Sequence, residues 1–134
     1  MGTAHRSNRY GYAPDYFARI NDNISVMVQI ESVKGLKNID DIAAVDGVDG
    51  LFIGPSDLSA GMGHFGQPMH PEVQQAMEAI VKSGKAHGKP IGILAPGEKD
   101  ARHYLEMGMT FVAVGGDVGL FKSASKALCD RFKG

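Results

Sequence analysis

Four short apolar runs punctuate the chain, near residues 24–30 (ISVMVQI), 50–54 (GLFIG), 90–94 (PIGIL) and 110–115 (TFVAVG). Their residues are β-branched, aromatic or otherwise apolar at successive positions. That is the pattern of strands buried on both faces, and half-exposed strands alternate instead. Helical segments lie between the runs. The clearest covers 70–87, HPEVQQAMEAIVKSGKAH. Pro71 suits a first turn and Glu72 complements the positive end of the helix dipole. Val73, Met77, Ile80 and Val81 recur at the spacing of one buried stripe, and Gly88 is a stop. Shorter helices are expected at 14–21, 38–45, 98–107 and 119–132. In the last of these, Leu120, Phe121, Ala124, Leu128 and Phe132 share one side.

Strands alternating with helices imply parallel βαβ units. The expected organisation is one domain over 1–134: an N-terminal segment with a short helix over 1–23, then four βα units over 24–134. A closed (β/α)8 barrel takes about 250 residues and eight strands. Four units therefore make half of such a barrel or a small doubly wound sheet, and pattern alone leaves both open.

Composition narrows the function classes. The hydrophobic fraction of 43% is ordinary for a globular chain. A net charge of -1 gives no basic footprint for nucleic acid. No apolar run approaches the roughly 20 residues of a membrane helix, and the polar start MGTAHRSNRYGY is no signal peptide. The single cysteine, Cys129, excludes an internal disulfide and fits a reducing cytoplasm. It is expected to pack within the last helix.

In parallel α/β folds chemistry gathers at the C-terminal ends of strands. The first run ends VQIES, where Gln29 and Glu31 are two apart and point the same way. A polar pair there is costly without partners. The second ends FIGPSDLS. Gly54 and Pro55 turn the chain, a helix begins near Asp57, and the N–H groups of Ser56 and Asp57 suit an anion. Glu31 and Asp57 are thus carboxylates at successive strand ends, a donor set for a Mg2+-like ion with open positions for a substrate's oxygens. Mg2+, Mn2+ and Co2+ all suit it. Taken singly, each has a plainer role: Glu31 in a salt bridge or cap, Asp57 as a first-turn cap, Gln29 satisfying buried backbone. Asp117 is expected to cap the last helix. His5, His64, His70, His87 and His103 show no HxxxH or HxH spacing and read as surface or capping residues, with His70 bordering the site. The GGDVG run lacks both GxGxxG placement after the first strand and a P-loop lysine, which excludes dinucleotide binding and NTP hydrolysis.

Taken together, VMVQIES, VDGVDGLFIGPSDLSAGMGHFGQPMHPEVQQ, GKPIGILAPGEKDARHYLEMG and TFVAVGGDVGLF resemble the HpcH/HpaI aldolase family over nearly the whole chain. The resemblance implies the C-terminal half of a (β/α)8 barrel. It implies class II, metal-dependent cleavage of a 4-hydroxy-2-oxo acid such as 2-dehydro-3-deoxyglucarate to pyruvate and a small hydroxy-aldehyde, through a metal-stabilised pyruvate enolate. Residue by residue, it makes Glu31 and Asp57 the metal ligands. Gln29 contacts substrate, Gly54 and Ser56 contact the pyruvate carboxylate, and Leu94 borders the aldehyde pocket. The family's histidine base and carboxylate-gripping arginine have no counterpart here, since His5, Arg6 and Arg9 precede the first strand and do not match. The expectation is a fragment or short gene product with open sheet edges at 24–30 and 110–115. Such edges invite pairing, so a homo-oligomer is expected, with the last helix packing on a neighbour. Two alternatives stand beside this: a non-catalytic half-barrel that binds metal or keto acid and acts only through association, and the acyl-CoA lyase branch, which the HPEVQ and GILA stretches disfavour.

Overall fold

A computed structural model describes residues 5–133. It contains four strands, β1 (Met27–Ile30), β2 (Gly50–Ile53), β3 (Ile91–Leu94) and β4 (Phe111–Ala113). They form one parallel sheet in the order β1-β2-β3-β4. This order separates the two topologies left open by the sequence. A doubly wound sheet reverses its strand order at a switch point. Here every strand lies beside its sequence neighbour, and right-handed crossovers then put each connecting helix on the same face. The sheet is an arc of a singly wound barrel.

Helices are α1 (Tyr16–Arg19), α2 (Val33–Lys37), α3 (Ile39–Ala43), α4 (Pro55–Gly61), α5 (Pro71–Ala86), α6 (Glu98–Met107) and α7 (Asp117–Asp130). Short 3-10 turns cover Arg6–Gly11 and Asn21–Asn23. The expected helix at 38–45 is α3, and a further short helix, α2, precedes it, with Asn38 closing α2 and opening α3. The sequence stripe of α5 is buried as expected: Val73, Met77, Ile80 and Val81 join the core with Ile30, Leu51, Ile53, Ile91 and Ile93. Pro71 stands at the start of α5, and α6 stops at Gly108 in the left-handed conformation. No helix among the described residues is long and apolar enough to cross a membrane.

Several expectations are corrected. First, the strands are buried on one face only. The register aligns Gln29, Phe52, Gly92 and Phe111 in one row and Ile30, Ile53, Ile93 and Val112 in the next. The second row faces the helices. The opposite face stays open, with Met27, Leu94 and Phe111 exposed at 42%, 46% and 54%. Second, the run at 24–30 is a regular strand only from Met27, with the Val26 carbonyl accepting the Asp49 N–H at 2.8 Å just before it. The Val26 N–H goes to the Asp49 carboxylate at 2.6 Å, and Ile24 and Val26 remain exposed. Third, Cys129 is not packed. It is exposed, as are Leu120, Phe121, Leu128 and Phe132, because no residue of α7 is buried in this chain. Helix α7 also begins at Asp117. Gly116 takes the cap position, and the Asp117 carboxylate accepts the Val118 N–H at 2.8 Å.

Candidate functional site

The C-terminal ends of β1 and β2 are tied together by one bond, from the Gly54 N–H to the Ile30 carbonyl at 3.1 Å. It lays Gly54 beside Glu31. A methyl group on Gly54 would stand 2.7 Å from the Glu31 Cβ, 2.8 Å from its Oε2 and 2.9 Å from the Gln29 Nε2. A residue without a Cβ fits best there, and a glycine follows β2. Gln29 donates from Nε2 to Glu31 Oε2 at 2.6 Å. The two-residue spacing of Gln29 and Glu31 thus does bring them together.

Helix α4 starts at once from Gly54, with Pro55 in its first turn and Asp57 behind it. The fully buried Leu58 anchors this helix to the core. The buried Ser59 donates to the Ser56 carbonyl at 2.9 Å, tightening the turn that carries Ser56 and Asp57. The Ser56 and Asp57 N–H groups lie in a first turn, outside the helix's own bonding.

A cleft of about 450 Å3 opens over these strand ends. Gln29, Gly54, Ser56, Asp57 and Leu94, five of the six residues expected at the site, line it. Glu31 is not a lining residue, and it reaches the cleft through its bond to Gln29. The close-packed Gly54 leaves the space that Glu31 and Gln29 occupy, and the donor groups are carboxylates and an amide, which suit a hard divalent cation.

The far wall of the cleft was not legible in the motifs. It includes Pro68, Met69, Asp100 and Tyr104. Gln74 organises it, donating from Nε2 to the Pro68 carbonyl at 2.8 Å and to the Tyr104 hydroxyl at 3.1 Å. The Tyr104 hydroxyl lies 3.4 Å from the Met69 sulfur. Burial pushes the Tyr104 hydroxyl's pKa up; the Gln74 bond opposes this and the Asp100 charge adds to it. A buried Tyr needs a partner for its polar tip, so an amide facing it from α5 was the available signal. Tyr104→Phe is expected to cost about 1 kcal/mol in urea unfolding, the usual worth of such a bond.

Beside this wall His70 caps α5, its Nδ1 accepting the Glu72 N–H at 3.3 Å. His64 pairs with Glu72 at 2.8 Å and stacks on His70, ring centroids 3.6 Å apart. The hydrogen bond and charge of His64 lower the Glu72 pKa below its ordinary 4.5. A carboxyl depressed in the folded state adds stability that is present above its ordinary value and lost as pH falls through the lowered one. Glu72 should therefore titrate below 4.5 by NMR, and His64→Ala should return it towards that value.

Known proteins share this chain's sequence and fold. A 5-keto-4-deoxy-D-glucarate aldolase of Enterobacter sp. (strain 638) is 59% identical over 133 residues, covering 99% of this chain and 52% of its own. The structure of an HpcH/HpaI aldolase/citrate lyase family protein from Burkholderia cenocepacia J2315 superposes with a TM-score of 0.89 at 36% identity, covering 98% of this chain and 51% of that one. An HpcH/HpaI aldolase from Desulfitobacterium hafniense DCB-2 gives a TM-score of 0.80 at 30% identity, over 90% of this chain and 47% of that one. The chain spans about half the length of the relatives it matches. The family profile described as HpcH/HpaI aldolase/citrate lyase matches residues 5–124, and the chain belongs to that family.

Proposed function

We propose that this chain carries the metal-binding and keto-acid-binding half of a class II pyruvate aldolase site. The observation that supports this best is the convergence of Gln29, Gly54, Ser56, Asp57 and Leu94 on one cleft, with Glu31 bonded to Gln29 at its edge. Glu31 and Asp57 would hold a divalent cation, Mg2+ or alternatively Mn2+ or Co2+, which supplies Lewis-acid polarisation of a keto oxygen. The Ser56 and Asp57 N–H groups point positive dipole at the adjacent carboxylate of a 2-oxo acid. Gln29 orients its amide toward the same ligand while holding Glu31. Leu94, across the cleft, offers an apolar wall to the aldehyde portion.

The reaction is the reversible cleavage of a 4-hydroxy-2-oxo acid, 2-dehydro-3-deoxyglucarate being the representative substrate. The 4-hydroxyl proton leaves to a base, the C3–C4 bond breaks, and its electron pair forms the enolate of pyruvate. The aldehyde departs and the enolate is protonated at C3. The residues matched to the family's motifs here bind and orient, and none of them serves as that base. The assay is pyruvate release from a 4-hydroxy-2-oxo acid with added Mn2+ or Mg2+. Release that EDTA abolishes is expected, and release unaffected by EDTA refutes a class II site.

A second reading is favoured by the uncovered inner face of the sheet and by the bare apolar side of α7, where Phe121 is 77% exposed. In it the chain binds metal or keto acid and acts only through association. Apolar area of this extent favours contact with another chain. Sedimentation at micromolar concentration should give a species larger than 14.3 kDa, and a stable monomer rules association out.

A further inference from the structure

We infer that His64, His70 and Glu72 form a second metal site, separate from the Glu31–Asp57 pair and selective for a borderline transition ion such as Zn2+. One ligating atom from each of the three lies within 4.8 Å of the other two. Both imidazoles are partly buried, and the Glu72 carboxylate is open to solvent. Two nitrogens and one oxygen, with a fourth position open to water, are a zinc donor set. The Glu31–Asp57 pair is all oxygen and suits harder ions. The two places therefore sort metals by chemistry.

The path to binding is short. His64 Nε2 and Glu72 Oε2 stand 2.8 Å apart, bridged by a proton. A tetrahedral zinc between such atoms needs about 3.3 Å, from its bond lengths of roughly 2.0–2.1 Å. The metal thus takes the proton's place with a small opening of the pair, and the proton is released. His70 can turn toward the same point, because its bond to the Glu72 N–H is long at 3.3 Å. The stacked rings, now inclined by only 15°, must fan apart, since a metal lies in the plane of each imidazole that binds it. The site would brace the segment between α4 and α5, whose Pro68 and Met69 line the cleft wall.

Co2+ is the probe, because a tetrahedral nitrogen-containing site absorbs visible light strongly and an octahedral all-oxygen site absorbs weakly. The full chain should give the strong band on Co2+ titration, with Zn2+ displacing it. The band should persist in Glu31→Ala/Asp57→Ala, which separates this site from the proposed aldolase pair. It should be lost in His64→Gln and in His70→Asn, with Zn2+ affinity falling by more than the roughly tenfold typical of removing a supporting residue. Asn is a good helix cap, so His70→Asn keeps the start of α5, and far-UV circular dichroism verifies the fold of each variant. No strong band in the full chain, a band unchanged in both histidine variants, or a band lost with Glu31 and Asp57 overturns the assignment.

Discussion

Alanine at Gly54 should lower Mn2+ affinity by roughly 10- to 100-fold, the range seen when residues orienting metal ligands are disturbed. The new methyl would stand 2.7 Å from the Glu31 Cβ, an atom tethered directly to the backbone, and 2.9 Å from the Gln29 amide. The Glu31 Cβ contact cannot be relieved by swinging a side-chain end, whereas the Gln29 amide is the mobile end of its side chain. Glu31 would have to move away from the end of β2, and Gln29 with it, since the two are bonded at 2.6 Å. A displacement of about an ångström at such a site is expensive for binding and chemistry alike. The fold should survive, because Gly54 has a negative φ of -93° that other residues adopt. Gly116→Ala is the control. It has open space for a Cβ and should leave Mn2+ affinity unchanged. Calorimetric titration of both variants compares them directly.

The second large effect is on stability and separates the buried face of the sheet from the exposed helix α7. Ile53→Ala should cost about 2–5 kcal/mol in urea unfolding, because it leaves a cavity in a packed core. Ile53 is fully buried and shares its row with Ile30, Ile93 and Val112 beneath the helices. Leu120→Ala on α7 should change stability by no more than about 0.5 kcal/mol, since Leu120 is exposed within this chain. If α7 is covered by another chain, the same substitution would instead weaken association, and sedimentation would show it.

These two positions also show how far the sequence could be read. The runs around Ile53 and Ile93 mark strands because successive apolar, β-branched residues suit a buried parallel sheet. Apolarity, however, says only that a face avoids water, not which chain covers it. The inner-face residues Met27, Leu94 and Phe111 and the apolar side of α7 therefore read as core in sequence and stand open in the structure. Cys129 was misplaced for the same reason.

At the site, Gln29 and Glu31 were legible because a strand has a period of two, and Asp57 because a Gly-Pro turn ahead of a helix sets its place. The partnership of His64, His70 and Glu72 was not. It depends on a segment that doubles back through Gly63 and Gly66, both with positive φ, and through turn bonds from Gln67 N–H to the His64 carbonyl and from His70 N–H to the Gln67 carbonyl. No regular period relates residues joined that way. The cleft wall of Gln74, Met69 and Tyr104 escaped for a related reason, since Gln74 and Tyr104 meet across two helices that are 30 residues apart in sequence.

Glu31 and Asp57 are proposed to hold the cation on which keto-acid binding depends. Mn2+ binding to the full chain, followed by electron paramagnetic resonance with and without pyruvate, tests it most directly. The wild-type chain should bind Mn2+, and pyruvate should perturb the bound ion's signal. Both effects should be lost in Glu31→Ala and in Asp57→Ala, with circular dichroism unchanged. Undiminished Mn2+ binding in both variants would rule out Glu31 and Asp57 as the ligands.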